Sequence, residues 1–76
     1  MLIQVDARRL LCPMPVIRLQ DAVLKAEEND VIEITCTDPG AKNDIPAWCR
    51  INGHQVENIL EGEYEIIIRV RKCNSD

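Results

Sequence analysis

The sequence has few of the features that suit a nucleic-acid-binding surface, a membrane span or an export signal. Its 76 residues include one Trp, one Tyr and no Phe, and 13 acidic against 9 basic residues give a net charge of −4. Single-strand nucleic-acid binders usually combine a basic groove with stacking aromatics, so direct nucleic-acid binding is disfavoured. No apolar run approaches the roughly 20 residues of a membrane span. The N-terminus lacks a basic segment followed by a long apolar one, so we expect no signal peptide and a cytoplasmic location.

The four cysteines do not have the spacing of a zinc knuckle or a dithiol redox centre. They stand at positions 12, 36, 49 and 73, with no C-x-x-C pair, and the single His54 is adjacent to none of them. Two disulfides would require an oxidising compartment. We therefore expect no metal site and no cofactor, and the four thiols have to be judged individually.

The length allows one domain, residues 1–76, with a small core. A domain of this size buries only about 60% of its unfolded surface, so a deep small-molecule pocket is not expected. Chemistry is expected at the surface, presented to another macromolecule.

Apolar periodicity predicts the element order β-α-β-α-β-β. The four predicted strands are residues 2–5, 31–37 and 55–60 and the segment from Tyr64 to Arg71. The first helix is predicted from about Pro13 to Glu28, and the second starts between Asp38 and Asn43 and is capped by Gly53. Residues 73–76 are predicted to be a frayed tail. In the second helix Ala41, Ile45, Trp48 and Ile51 are predicted to face inward, and Pro46 is expected to kink it or delay its start.

The predicted fold class is α/β (α+β), a two-layer sandwich. A strand, a helix and a strand in succession favour a parallel right-handed unit, and the last two strands favour a hairpin. Both helices are then expected to cover one face of a mixed four-stranded sheet.

The stretch Cys12-Pro13-Met14-Pro15 contains the candidate reactive residue of the sequence. Pro13 pushes the preceding residue toward extended backbone, so Cys12 is predicted as the N-cap of the first helix. Pro15 stands where a dithiol oxidoreductase would carry its resolving Cys. A thiol without such a neighbour can carry a persulfide without losing the outer sulfur to its own chain. The alternative is that Cys12 is a small buried residue ahead of a helix.

Three features would favour the thiolate form of Cys12. The start of a helix carries partial positive charge. The backbone N–H groups of Met14 and Val16 are predicted to be free near the sulfur, and Arg8 and Arg9 add positive charge. Each acts to lower the pKa of the thiol, and the thiolate is the form that attacks sulfur.

Two stretches of the chain resemble the TusA (SirA-like) sulfur-carrier family. Residues 6–15, Asp-Ala-Arg-Arg-Leu-Leu-Cys-Pro-Met-Pro, are similar to the pattern D-x-R-x-L-x-C-P-x-P, in which Asp6, Arg8, Pro13 and Pro15 frame the cysteine. Residues 38–41 and 44–49 are similar to the family's D-P-x-A and D-I-P-x-aromatic segment. Together the two motifs span most of the domain. In one respect the chain departs from the pattern: Arg9 stands where relatives often have Gly, so the loop before Cys12 is expected to differ if that Gly serves a positive φ.

The resemblance implies a carrier that is not an enzyme and that holds a persulfide on Cys12. Its implied partners are a cysteine desulfurase or rhodanese-type donor and a downstream acceptor protein, with tRNA 2-thiouridine formation or related sulfur metabolism as the destination. Arg8, Arg9, Met14 and Arg18, around the helix start, are the expected contact surface. The alternative is a regulatory protein-binding module without sulfur transfer. The hypothesis of a nucleic-acid-binding domain is supported by fold analogy alone.

The remaining cysteines and the basic end of the last strand are expected to be structural. Cys36 and Cys49 are predicted to pack in the core, and Cys73 to be exposed without a fixed role. The basic residues Arg69, Arg71 and Lys72 are interpreted as solvated edge residues, with a patch for an acidic partner as the alternative.

Overall fold

The computed structural model of the protein describes residues 2–11 and 13–73. Its elements are β1 (Leu2–Ala7), α1 (Met14–Lys25), β2 (Val31–Cys36), α2 (Ala41–Asn52), β3 (Gln55–Glu61) and β4 (Ile66–Arg71). The sheet order is β1-β2-β4-β3, with β1 parallel to β2 and both other pairs antiparallel. The predicted mixed sheet and the hairpin of the last two strands are confirmed. Neither helix of the described ranges has the length and hydropathy needed to cross a membrane.

The core lies between the helices and one face of the sheet. Strands β2 and β4 each bury every second residue, because successive side chains of a strand point to opposite faces. The buried apolar residues are Ala7, Leu19, Val23, Ala26, Ile32, Ile34, Cys36, Ala41, Ile45, Cys49, Ile66, Ile68 and Val70. The two-layer arrangement predicted from the sequence is therefore confirmed.

Helix α1 is shorter than predicted at both ends. It starts at Met14, and its N-cap residue is Pro13, so the prediction of Cys12 as N-cap was wrong. It ends at Lys25 instead of near Glu28, and Ala26 already has extended backbone with ψ 161°. The chain then turns through Asn29, which has a φ of 74°.

A buried lysine explains the early end of α1. The ammonium group of Lys72 donates hydrogen bonds of 2.8 Å to the carbonyl oxygens of Val23 and of Ala26. The backbone of Lys72 also exchanges hydrogen bonds with Asn29 and Asp30. The interpretation of Lys72 as a solvated edge residue was therefore wrong, because it closes the C-terminal end of α1.

Helix α2 and β4 differ from the prediction in one side chain each. Helix α2 starts at Ala41, runs through Pro46 and ends at Gly53, whose φ of 78° makes the expected C-terminal cap. Ile51 is 83% exposed, because Cys49 and not Ile51 continues the inward face of Ala41 and Ile45. Tyr64 is exposed and precedes β4, since the hydrogen bond from Gly62 N to Glu65 O closes the hairpin turn first.

Candidate functional site

The loop that leads into position 12 is built on an ion pair between Asp6 and Arg8. The Asp6 carboxylate accepts hydrogen bonds from the backbone N–H of Arg8 (3.0 Å) and from its guanidinium Nε and Nη2 (3.0 and 3.1 Å). These bonds lower the pKa of Asp6 to about 2. A second carboxylate, that of Glu65, lies 3.6 Å from Arg8 Nη1. Arg8, predicted as a source of positive charge, is thus neutralised by two acidic neighbours.

Arg9, the next residue of this loop, adopts a left-handed backbone. Its φ is 67°, a conformation that residues with a side chain rarely adopt. Its backbone N–H donates a 2.8 Å hydrogen bond to the hydroxyl of Thr37, the first residue after β2. Arg9 thus adopts the positive φ that a Gly would tolerate, and the expectation that this loop differs from that of relatives stays a prediction.

Cys12 itself lies outside the described residues, and the residues on either side of it define where α1 begins. Met14 N donates to Leu11 O at 2.8 Å, and Ile17 N donates to Pro13 O at 3.1 Å. The prediction that the Met14 N–H is free near the sulfur was therefore wrong, whereas that for Val16 stays a prediction. Pro15 is buried, so it anchors the first turn of α1 in the core.

Three apolar side chains stand exposed around the start of α1. Leu11 is 75% exposed, Ile17 42% and Met14 39%. Arg18, also exposed, lies close enough to Asp6 for its charge to help lower that pKa. Of the predicted contact residues, Met14 and Arg18 lie in α1 with Ile17, whereas Arg8 and Arg9 lie in the preceding loop and contact Asp6, Glu65 and Thr37.

Sequence reasoning missed Leu11 and Ile17 as surface residues. The signal was available for Ile17, because it falls off the helical face formed by Val16, Leu19 and Val23. Leu11 has no periodic context, since it lies in the connector between β1 and α1, and its exposure follows from the turn closed by Met14 N and Leu11 O.

The other thiols occupy two kinds of environment. Cys36 and Cys49 are buried in the core, which confirms the packing interpretation. Burial raises the pKa of each thiol to about 11, with smaller contributions from Asp38 and Cys73 respectively. Both are therefore protonated at neutral pH. Cys73 is exposed beyond β4, and residues 74–76 of the predicted tail lie outside the described residues.

Charged residues of the sheet and the single histidine have structural partners. Arg69 pairs with Glu33 and Arg71 with Glu57. His54 stacks on Trp48 with ring centroids 5.5 Å apart, and its Nδ1 accepts a 3.3 Å hydrogen bond from Cys73 N. Burial and the charge of Lys72 lower the pKa of His54. In residues 2–11 and 13–73 no group of three or more His, Cys, Asp or Glu side chains could hold a metal ion.

Comparison with known proteins places these features in a family. Residues 3–70 match the family model described as "Sulfurtransferase TusA". YrkI of Bacillus subtilis (strain 168) is 42% identical over 59 residues, covering 76% of this chain and 79% of its own. The sulfur carrier protein TusA of Pseudomonas syringae pv. syringae is 34% identical over 68 residues, covering 87% and 81%.

A solved structure supports the fold independently. The SirA-like protein from Desulfitobacterium hafniense superposes with a TM-score of 0.82, covering 97% of this chain and 100% of its own, at 24% identity. The match at this identity concerns the fold, and the family assignment rests on the residues 3–70 that match the model. On that match, the chain belongs to the TusA family.

Proposed function

We propose that the protein is a sulfur carrier and that Cys12 is the thiol on which the persulfide is held. The observation that carries this assignment is that the cysteines of this chain differ in burial and in their position relative to the family motif. Cys36 and Cys49 are buried and protonated, and Cys73 lies beyond β4, away from the family motif. Cys12 remains, and it follows a loop held by Asp6, Arg8 and Thr37.

The proposed transfer needs no cofactor and no external oxidant or reductant. The Cys12 thiolate attacks the outer sulfur of a persulfide on a donor protein, the donor's S–S bond breaks, and the donor leaves as a thiolate. A new S–S bond now joins Cys12 to the transferred sulfur. An acceptor thiolate then attacks that outer sulfur and Cys12 leaves as a thiolate. The protein is regenerated, so it acts as a stoichiometric carrier within a transfer sequence.

Retention of the persulfide between these two steps is supported by Pro15 and by the burial of two of the other thiols. Pro15 occupies the position of a resolving cysteine, and Cys36 and Cys49 are protonated in the core. Attack on the carried sulfur by the same chain is therefore disfavoured. Such a carrier requires reduced thiols, and the cytoplasm is the compartment that we propose.

The partners proposed are a cysteine desulfurase or rhodanese-type donor and an acceptor that passes the sulfur toward tRNA 2-thiouridine or a related product. The exposed side chains of Leu11, Met14 and Ile17 supply the docking surface, with the exposed Arg18 in the same helix and Arg9 in the loop before it. An exposed apolar cluster beside cationic groups fits a partner surface with an apolar centre and acidic edge.

Mass spectrometry after incubation with a cysteine desulfurase and cysteine tests the proposal. We expect one added sulfur atom on the parent protein and on Cys73→Ser, and none on Cys12→Ser, since a hydroxyl is a far weaker nucleophile than a thiolate. Sulfur bound to folded Cys12→Ser would overturn the assignment of Cys12. A parent protein that binds its partners but gains no sulfur from desulfurase or rhodanese-type donors would favour a regulatory binding module instead.

A further inference from the structure

Thr37 is the residue through which the loop before Cys12 is attached to the second strand. Its hydroxyl oxygen accepts the 2.8 Å hydrogen bond from Arg9 N. The two residues are 28 positions apart in the sequence and meet because β1 and β2 are parallel. Ala7 and Cys36 are register partners, so the segments that follow the two strands leave the sheet side by side.

Arg9 needs such an attachment because its backbone conformation is unfavourable. At a φ of 67° an arginine is strained, whereas a glycine would not be. The next residue, Leu10, contributes only a long 3.4 Å hydrogen bond to Ala7 O. Without the Thr37 hydroxyl, other backbone conformations of Arg9 become accessible, and the path of the chain toward position 12 changes with them.

Thr37 is itself held in place by the turn that follows it. The Asp38 carboxylate accepts a 3.1 Å hydrogen bond from Gly40 N, and Asp38 O accepts one of 3.1 Å from Ala41 N at the start of α2. The segment from Asp38 to Ala41 is the first part of the second family motif of the sequence. Its turn gives Thr37 a fixed position from which to hold the loop of the first motif.

We propose that Thr37 is a positioning residue for sulfur transfer. Its hydroxyl stabilises the left-handed conformation of Arg9 and so sets the path of the loop that precedes Cys12. The inference rests on the proposed function, because positioning matters here only if Cys12 carries sulfur. It also gives the second motif a role, since that motif fixes Thr37.

Three substitutions of Thr37 separate the hydroxyl from the volume of the side chain. Thr37→Val keeps the shape and removes the hydrogen bond, Thr37→Ala removes both, and Thr37→Ser keeps the hydroxyl. Loading by a cysteine desulfurase is measured as initial rate against carrier concentration, and folding by the thermal transition. We expect the maximal loading rate of Thr37→Val to fall about threefold to tenfold, the range set by losing one hydrogen bond, while KM stays within about twofold. Thr37→Ser should restore the parent rate.

The Arg9→Gly background tests the mechanism of the effect. Glycine adopts positive φ without strain, so removing the hydroxyl should cost the loading rate less there. We expect Thr37→Val to lower the rate of Arg9→Gly by less than about twofold. An equal loss in both backgrounds would overturn the proposal, because the hydroxyl would then not act through Arg9.

Two further results would also overturn it. In the first, every folded variant that lacks the hydroxyl is loaded at the rate of the parent protein. If Thr37→Val does not fold, Thr37→Ala takes its place in this comparison. The other is a Thr37→Ser variant that stays as slow as Thr37→Val. Failure of the proposed function is distinct from both, since the parent protein itself would then gain no sulfur.

Discussion

At its C-terminal end α1 is closed by Lys72, which is buried and donates hydrogen bonds to the carbonyl oxygens of Val23 and Ala26. At its N-terminal end the side chains of Leu11, Met14 and Ile17 are exposed to solvent. One end of the helix is therefore completed within the chain, whereas the other leaves apolar surface uncovered.

The two ends of α1 therefore differ in how many of their groups are satisfied by contacts within the chain. A cation at a helix C-terminus is favourable because the last carbonyl groups carry partial negative charge, and burial strengthens the effect. Exposed apolar side chains around the helix start contribute little to folding, but they offer area that a partner can bury. The C-terminal end of α1 thus contributes to stability, and the proposed docking surface lies at the opposite end of the same helix.

Removing the closure at the C-terminal end should give the largest change in stability. Lys72→Met keeps the length of the side chain but removes the ammonium donor from Ala26 O and leaves Val23 O with the 3.2 Å hydrogen bond from Ala26 N. We expect a loss of about 2–4 kcal/mol in the free energy of unfolding, measured by urea denaturation. Arg69→Met, which removes a partly exposed ion pair with Glu33, is the matched control and should cost less than about 1 kcal/mol. Equal losses in the two variants would show that the buried contacts of Lys72 carry no special weight.

A substitution in the core between the two ends should be next in size. Cys36→Ser places a hydroxyl among apolar side chains and should cost about 1–3 kcal/mol if that hydroxyl finds no partner. The folded variant should still accept sulfur, because Cys36 is buried and its thiol protonated. Thermal denaturation and mass spectrometry measure the two properties in one preparation. Loss of loading in a fully folded sample would contradict the purely structural role of Cys36.

Substitutions at the two ends of α1 should separate docking from general exposure of apolar surface. Ile17→Gln should raise the KM for loading about threefold to tenfold, because apolar contact area with the partner is lost. Leu24→Gln is the matched control, since Leu24 is also exposed but lies near the C-terminal end. Both variants should unfold within about 0.5 kcal/mol of the parent. An equal rise in KM for Leu24→Gln would mean that docking is not confined to the helix start.

The smallest effect concerns the titration of Asp6. Its pKa is lowered to about 2 from an ordinary value of 3.8 because Arg8 donates to the charged carboxylate. The ion pair therefore favours the folded state above pH 4, and this contribution is lost as the pH falls from about 4 toward 2. In Arg8→Gln the pKa should move back toward 3.8, measured by NMR of the Asp6 carboxyl carbon. An unchanged value would indicate another cause of the shift.

The sheet and the core could be predicted from the sequence because their signals are local and repeated. Alternation of Ile32, Ile34 and Cys36 with polar residues indicated the buried face of β2, and the helix between β1 and β2 indicated that these two strands are parallel. The same reasoning failed at Ile51, because two residues past Cys49 rotate the side chain by about 200° around the helix axis, away from the buried face.

The contacts that finish the helix and hold the loop could not be predicted, because they join distant positions. In the sequence, Lys72 resembles any basic residue at the end of a strand. Its hydrogen-bond acceptors belong to Val23 and Ala26, which precede it by 49 and 46 residues in the sequence. Likewise, nothing local links Arg9 to Thr37. A positive φ at an arginine runs against residue preference, so only the surrounding structure explains it.

The closure of α1 by Lys72 has a consequence for the order in which the protein can be completed during synthesis. When the ribosome has made α1 and β2, the helix still lacks the residue that satisfies its last carbonyl groups. Water can donate hydrogen bonds to those carbonyl groups until β4 has been synthesised and has paired with β2. Contacts across such long sequence separations slow folding. The last turn of α1 therefore gains its hydrogen bonds to the ammonium group only once residue 72 is in place.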